Sequence, residues 1–381
     1  MLQRKNILLL AFLLFSLSLF SQQFKIATLN CEWLSCLTNG PSNRALQMNN
    51  IAQVITNVDA DIIALQEVGT STSFATIDEL VTILNTLGSG WAGDIVPWAS
   101  NPSNCGQYQA VVYKTSKIQR VSSSLITNGG SSQNWASGRY PVRYDVNFFT
   151  NEGIVPVTLI NIHAKAYSDY GSYARRAAAS QSLKQLLDGS AYRTRRIILI
   201  GDYNDYLIGT ICRDCPPNVT DSPYKNFMDD TPNYRGLTQY VYNGRLIDNI
   251  IISNELFANY VANSAVRDVD STSDIYNYLY TTSDHYPITA LLRFGNYSDI
   301  DEIEETPQFI IFPNPATTEL TINNGQLTIN NVEIIDIAGK TLTANHYKLT
   351  TTIDVSSLAS GIYILKIATE KGIFTQKFVK R

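Results

Sequence analysis

The chain has 381 residues, of which 16% are charged and 44% hydrophobic, and it carries a formal net charge of −4. A length of that order suggests two domains. The slight acidic excess excludes a general basic field, so a polyanionic ligand would have to be gripped locally.

At the N-terminus, Arg4 and Lys5 precede an apolar stretch from Ile7 to Phe20, and Ser21, Gln22 and Gln23 follow. That is the order of a secretory signal peptide, and the stretch is short for a membrane span. Residues 1–21 are expected to be removed, leaving no stable membrane span and a net charge of −6. Residues 22–297 then hold 20 basic against 23 acidic side chains, a net of −3.

Between residues 24 and 293 strand-like and helix-like segments alternate. Phe24–Asn30 reads as a strand, and 43–57 as an amphipathic helix with Leu46, Ile51, Val54, Ile55 and Val58 on its apolar side. Residues 61–68 form a strand and 78–87 a helix. Further strands are expected at 108–113, 142–149 and 155–163, then a helix at 173–187 carrying Arg175 and Arg176 on a solvated face. Strands at 196–202, 246–253 and 288–294 complete the set. Several of these strands are joined by loops rather than helices, so the sheets should be mixed rather than purely parallel.

Five acidic residues in seven, from Asp299 to Glu305, followed by Thr306 and Pro307, read as an exposed, self-repelling linker over 298–307. Beyond it only strand signals remain. Residues 327–337, 351–355, 361–367 and 374–379 alternate and are rich in Ile, Val and Thr, which predicts a small all-β sandwich over 308–381.

The five cysteines suit an oxidising compartment. Cys212 and Cys215 can close a small loop, Cys36 can pair with Cys105, and Cys31 is expected in the core as a free thiol. A zinc site on Cys212 and Cys215 lacks a second ligand pair.

Four apolar runs deliver polar groups at their ends. Residues 61–68 deliver Glu67, 157–163 deliver His163, and 196–204 deliver Asp202 and Asn204. Asp284 and His285 stand just before the run at 288–292. Hydrolysis of a phosphodiester needs a cation on the phosphate, a base for water and positive charge at the transition state. Glu67 is a hard-oxygen ligand of the kind Mg²⁺ or Ca²⁺ prefers, with Asn30 and Asp284 as further oxygen donors. The histidines are the natural proton movers, and Asp248 is suited to fix the tautomer of His285.

Taken together, Asn30, Gln66-Glu67, Asn161 with His163, Gly201-Asp202 with Asn204, Asp248 and Ser283-Asp284-His285 resemble the endonuclease/exonuclease/phosphatase superfamily, which includes DNase I, abasic-site endonucleases, neutral sphingomyelinases and inositol-phosphate phosphatases. The resemblance spans most of residues 24–294. It implies a four-layer sandwich of two mixed β-sheets flanked by helices, in a catalytic domain over 22–297. It implies Asn30, Glu67 and Asp284 on the metal side, with Mg²⁺, Ca²⁺ or Mn²⁺ as cofactor. Asp202 and Asn204 would position water and phosphate, His285 with Asp248 would act as base or stabiliser, and His163 as acid or phosphate donor. Arg139 lies where members carry a phosphate-contacting arginine. Two positions depart from the pattern: Asn249, where His or Arg is common, and Ala164, where Leu is common. They bear on subfamily rather than on activity.

The segments Ile311–Ala316, Val332–Lys340 and Leu358–Leu365 resemble the type IX secretion sorting domain over 308–381, as does the basic end from Lys377. That resemblance implies export by the type IX machinery to the outside or the cell surface. The expected function is a secreted, monomeric nuclease on DNA or RNA, with Tyr108, Arg139 and Tyr167 as groups that stack on or grip a polynucleotide. The alternatives are a phosphatase or a sphingomyelinase-type phosphodiesterase on the same scaffold, or an inactive surface binding protein.

Overall fold

The computed structural model describes residues 22–36, 38–69, 75–88, 90–97, 105–295, 310–323, 329–336, 340–345, 351–369 and 372–381. The signal segment 1–21 and the acidic linker 298–307 lie outside the described residues. Two compact units divide the chain at Tyr297 and Ser298. No helix among the described residues is long and apolar enough to cross a membrane.

The larger unit begins with β1 (Gln22–Leu34), α1 (Arg44–Val58), β2 (Ile62–Val68), α2 (Ala75–Leu87) and β3 (Trp91–Val96). After β4 (Tyr108–Lys114) the chain crosses to the second sheet, where β5 (Ile118–Leu125), β6 (Val142–Thr150) and β7 (Gly153–His163) form a meander. The long α3 (Tyr170–Leu187) leads into β8 (Ile197–Asp202), the one-turn α4 (Lys225–Met228), β9 (Tyr234–Gly236) and β10 (Asp248–Ser253). The unit closes with β11 (Val266–Arg267), the one-turn α5 (Tyr278–Thr281) and β12 (Ile288–Phe294).

Two six-stranded sheets result, ordered β11-β12-β1-β2-β4-β3 and β5-β6-β7-β8-β10-β9. Each has one parallel pair, β1 with β2 and β7 with β8, among antiparallel neighbours. Alternation along each strand sorts the apolar side chains into layers. Phe24, Ile26, Ala64, Val146, Phe148, Ile198 and Ile200 meet between the sheets. Ala27, Leu29, Ile63 and Leu65 face the other way, onto α1 and α2, through Ile51, Ile55 and Leu80. Ile160, Ile162, Ile197 and Leu199 pack on Ala179 and Leu183 of α3. The result is the four-layer sandwich expected of the chain.

Local chemistry sets the helix ends. The Asn43 side chain accepts from the Leu46 amide at 3.0 Å and opens α1, and Asp169 accepts from Ser172 at 2.9 Å and opens α3. Two expectations on these helices need correction. Leu46 is 41% exposed, and Met48 is buried with the apolar set instead. Arg176 is not on a solvated face but fully buried. Its guanidinium donates twice to Asp205, at 2.7 and 3.1 Å, and to the carbonyls of Lys165 and Tyr167, both at 2.8 Å. A buried cation with a carboxylate and two carbonyls to satisfy fixes the loops on either side of it.

Cys36 is bonded to Cys105 and Cys212 to Cys215, while Cys31 is a buried free thiol. In the smaller unit β13 (Ile310–Phe312), β14 (Glu319–Asn323) and β17 (Thr351–Asp354) make one antiparallel sheet. The other contains β15 (Ile329–Asp336), β16 (Thr341–Asn345), β18 (Gly361–Thr369) and β19 (Gly372–Lys380). Leu320, Ile322, Ile334, Leu365, Ile367 and Phe378 fill the space between them.

Candidate active site

Strand register brings the polar groups to one place. His163 lies opposite Asp202 across the parallel β7–β8 pair, and Asp202 lies opposite Asp248 across β8–β10. Gly201 makes this possible: its φ is +138°, and a Cβ there would stand 2.1 Å from the Ile162 carbonyl oxygen. In the first sheet Asn30 pairs with Gln66, and the register then shifts at the end of β2. Glu67 falls in that irregularity with a left-handed φ of 55°, so its side chain leaves the strict alternation of the strand.

A polar seam joins the two sheets behind the site. Asn161 donates to the carbonyls of Leu65 and Ala110 at 2.9 and 3.0 Å and accepts from Gln66 at 2.7 Å. Gln109 donates to the Asn161 carbonyl at 2.9 Å. At the front of the seam Asn30 Nδ2 donates to Asp202 Oδ2 at 3.0 Å, and the Asn30 carbonyl accepts from Ser283 Oγ at 2.6 Å. The Ser283 hydroxyl in turn accepts from the His285 amide at 3.0 Å.

Asp202 is almost fully buried. The Asn204 backbone and side chain donate to its two oxygens at 2.8 and 3.0 Å, with Asn204 held in a left-handed conformation at φ 52°. Burial, and the neighbouring charge of Asp248, push the Asp202 carboxyl up to about 7. Asp248 Oδ2 meets His285 Nδ1 at 2.6 Å. Burial opposes charge on His285, but the Asp248 carboxylate, with Asp202 and Asp284, outweighs it and lifts the imidazole to about 10. His163 differs: burial, Arg139 and His285 all hold it well below the ordinary histidine range, so it is neutral. Its Nε2 lies 3.5 Å from Glu67 Oε1 and 3.6 Å from Asp202 Oδ2, and its Nδ1 has no hydrogen-bond partner among the described residues.

Arg139 is 5% exposed. It donates to the carbonyls of His163 and Ala164 at 2.9 and 2.6 Å and to the side chain of Gln107. Burial lowers the guanidinium to about 10, against the favourable charges of Glu67 and Asp202. Tyr108 is buried at 1% exposure and presents no ring to a ligand, whereas Tyr167 is 73% exposed.

The structure adds a group that sequence reasoning passed over. Glu32 follows Asn30 by two residues, and its amide donates to Asn30 Oδ1 at 3.0 Å. Burial and the charge of Asp284 raise its carboxyl, and its Oε2 has no hydrogen-bond partner among the described residues. Burial likewise raises Glu67, and Asp284 adds to the rise. Glu32, Glu67 and Asp284 therefore act on one another as like charges; Asn30, Arg139 and His285 offset part of the cost on Glu67, and a divalent cation would offset more. A second compact trio, Asp202, Asp248 and His285, has ligand atoms within 4.8 Å of one another. His285 Nδ1 is paired with Asp248 Oδ2, and Asp202 with Asn30 and Asn204, while Asp248 Oδ1 is buried with no hydrogen-bond partner among the described residues, so the trio fits proton handling and leaves one oxygen for ligation. The signal for Glu32 was its two-residue spacing from Asn30. An alternating strand would put both on one face, although the left-handed φ of 46° at Glu32 breaks strict alternation.

The model of the endonuclease/exonuclease/phosphatase family matches residues 27–285, and that of the secretion system C-terminal sorting domain matches residues 310–381. None of the curated proteins matches the chain. Among solved structures it is similar to the human Nocturnin catalytic domain with bound sulfate, at 18% identity and a TM-score of 0.49, covering 72% of this chain and 95% of that one. It is also similar to an endonuclease/exonuclease/phosphatase family protein of Bacteroides thetaiotaomicron, at 13% identity and a TM-score of 0.47, covering 72% and 99%. A mannosyl-6-phosphatase of the same organism shows 15% identity and a TM-score of 0.45, covering 71% and 99%.

Proposed function

This chain belongs to the endonuclease/exonuclease/phosphatase family, a family of phosphoric ester hydrolases, and from that premise we propose that it is a divalent-cation-dependent phosphodiesterase acting on nucleic acid as a monomer. Its C-terminal sorting domain marks it for type IX export to the cell surface or the extracellular space. We assign residues 1–21 to the signal peptide, 22–297 to the catalytic domain, 298–307 to the linker and 308–381 to the sorting domain. The observation that carries the reading is one polar cluster in which His163 lies 3.5 Å from Glu67 and 3.6 Å from Asp202, while Asp248 holds a cationic His285 at 2.6 Å.

Glu67, Asn30 and Asp284, joined by Glu32, would hold the cation, with Mg²⁺, Ca²⁺ and Mn²⁺ as the fitting ions. When bound, it supplies charge neutralisation and Lewis acidity at a phosphate oxygen. The remaining steps belong to the side chains. Asp202, with its carboxyl near 7 and both oxygens held, orients the attacking water and takes its proton near neutral pH. His285, charged and fixed by Asp248, donates from Nε2 to the phosphate as negative charge builds. His163 offers a neutral N–H on the other flank. Asn204 holds Asp202 in place, and Arg139 acts as a fixed positive charge behind His163 rather than as a fork on the substrate.

The test is incubation of the purified protein with supercoiled plasmid under Mg²⁺, Mg²⁺ plus Ca²⁺, and EDTA, beside a His285→Ala variant. Nicking that requires the cation and disappears in the variant is the expected result. An intact plasmid and intact RNA under every condition, with small phosphate esters hydrolysed, would replace the nuclease by a phosphatase on the same scaffold.

A further inference from the structure

Beside His285 four planar groups stand in series. The Tyr278 ring stacks on Tyr286 at 5.3 Å, and the Arg267 guanidinium carbon lies 4.3 Å from the centre of the Tyr286 ring and 4.9 Å from that of Tyr242. The inner end is fixed: Tyr278 is 6% exposed, and its hydroxyl donates to the His285 carbonyl at 2.6 Å. The outer end is open. Tyr242 is 63% exposed, sits in a short 3₁₀ turn with a left-handed φ of 51°, and precedes Asp248 by six residues.

Arg267 is the unusual member. Its guanidinium lies over two rings, yet among the described residues its side chain has neither a carboxylate nor a hydrogen-bond partner, so its N–H groups are free. A guanidinium held over two rings with its N–H groups unused can meet an anion in two-point fashion. The exposed Tyr242 ring beside it offers a planar ligand a face.

We infer that Tyr242 and Arg267 form a base-stacking subsite that selects single-stranded nucleic acid, one base lying on the outer face of Tyr242 and an adjoining phosphate on the edge of Arg267. The substrate class rests on the nucleic-acid reading of the catalytic centre. A single strand alternates planar bases with phosphates and can supply both contacts. In a duplex the bases are already stacked on one another, and a sugar phosphate has no planar group to place.

The test is equilibrium binding of the full protein, in EDTA, to a fluorescein-labelled oligothymidylate and to an abasic strand with the same number of phosphates. Wild type is expected to hold the base-bearing strand roughly 5- to 150-fold more tightly, the range of one base–aromatic stack. Tyr242→Ala should abolish that preference without changing the melting temperature, and Tyr242→Phe should keep it. Arg267→Gln should weaken both strands and flatten the salt dependence. Equal binding of the two strands by wild type, or a preference that survives Tyr242→Ala, overturns the subsite. Cleavage assayed separately with divalent cation keeps the two readings apart. Base-dependent binding without cleavage supports the subsite and removes the nuclease. Cleavage with base-indifferent binding removes the subsite and leaves the nuclease.

Discussion

Replacing Asp248 by asparagine should turn His285 from a cation into a neutral imidazole at neutral pH. The magnitude follows from the pair itself. Asp248 Oδ2 stands 2.6 Å from Nδ1, and the two side chains are only 10% and 13% exposed, so solvent screens little of the attraction. Raising His285 from 6.5 to about 10 corresponds to ~5 kcal/mol in favour of the charged form, at about 1.36 kcal/mol per unit. Asparagine keeps the size and an acceptor oxygen but removes the charge, which leaves burial opposed only by Asp202 and Asp284. Hydrolysis of bis(p-nitrophenyl) phosphate should then slow by roughly 10²- to 10⁴-fold, the span of acid–base contributions. The chain has three histidines, so their ring Cε1 protons give three NMR signals that His163→Ala and His285→Ala assign. A His285 that titrates in Asp248→Asn where it does in wild type, or a rate that falls by less than about threefold, would contradict a charge supplied by Asp248.

Three further outcomes are expected. The raised pKa values of Asp202 (3.8 to about 7) and His285 (6.5 to about 10) stabilise the fold below their unfolded values and lose that contribution as pH rises through the folded ones. The metal-free protein should therefore melt lower at about pH 9 than at about pH 6, and Mg²⁺ should raise the melting temperature more at the higher pH; a melting temperature that rises with pH would contradict this. Arg176→Met should cost about 3–5 kcal/mol in urea unfolding because it strands a fully buried Asp205, and Arg176→Met/Asp205→Asn should regain most of it. Gly201→Ala, with its Cβ 2.1 Å from the Ile162 carbonyl, should destabilise by at least ~2 kcal/mol and lower activity through the His163–Asp202 register.

The parts of the fold legible in the sequence were those with a buried side. In the larger unit the strands that left no clear apolar run, β3, β5, β9 and β11, are the four edges of the two sheets. Edge strands are half solvated, and β5, with three serines and most of its residues partly or fully exposed, shows why alternation fades there. The polar groups at strand ends were legible because each interrupts an apolar run, and the structure brings them within reach of one another. Glu32 was not, because it sits inside the strand pattern and owes its place to a left-handed turn at the end of β1. Arg176 was misread because a helix position alone does not reveal a carboxylate 29 residues away in the chain. Tyr242, Arg267 and Tyr286 come from three separate segments, and only packing makes them neighbours.

The first half of β1, residues 22–28, pairs with the last strand of the larger unit, β12, and just beyond that pairing Ser283 donates to the Asn30 carbonyl at 2.6 Å. A growing or truncated chain therefore holds Glu67, His163 and Asp202 long before it holds the residues that complete the site. Until the terminal strand docks there is no His285 beside Asp248 and no clasp on Asn30. For a hydrolase of phosphoric esters, which abound inside the cell that makes it, this closure of beginning upon end would act as a safety catch, since a fragment lacking β12 and the segment before it lacks the His285–Asp248 pair.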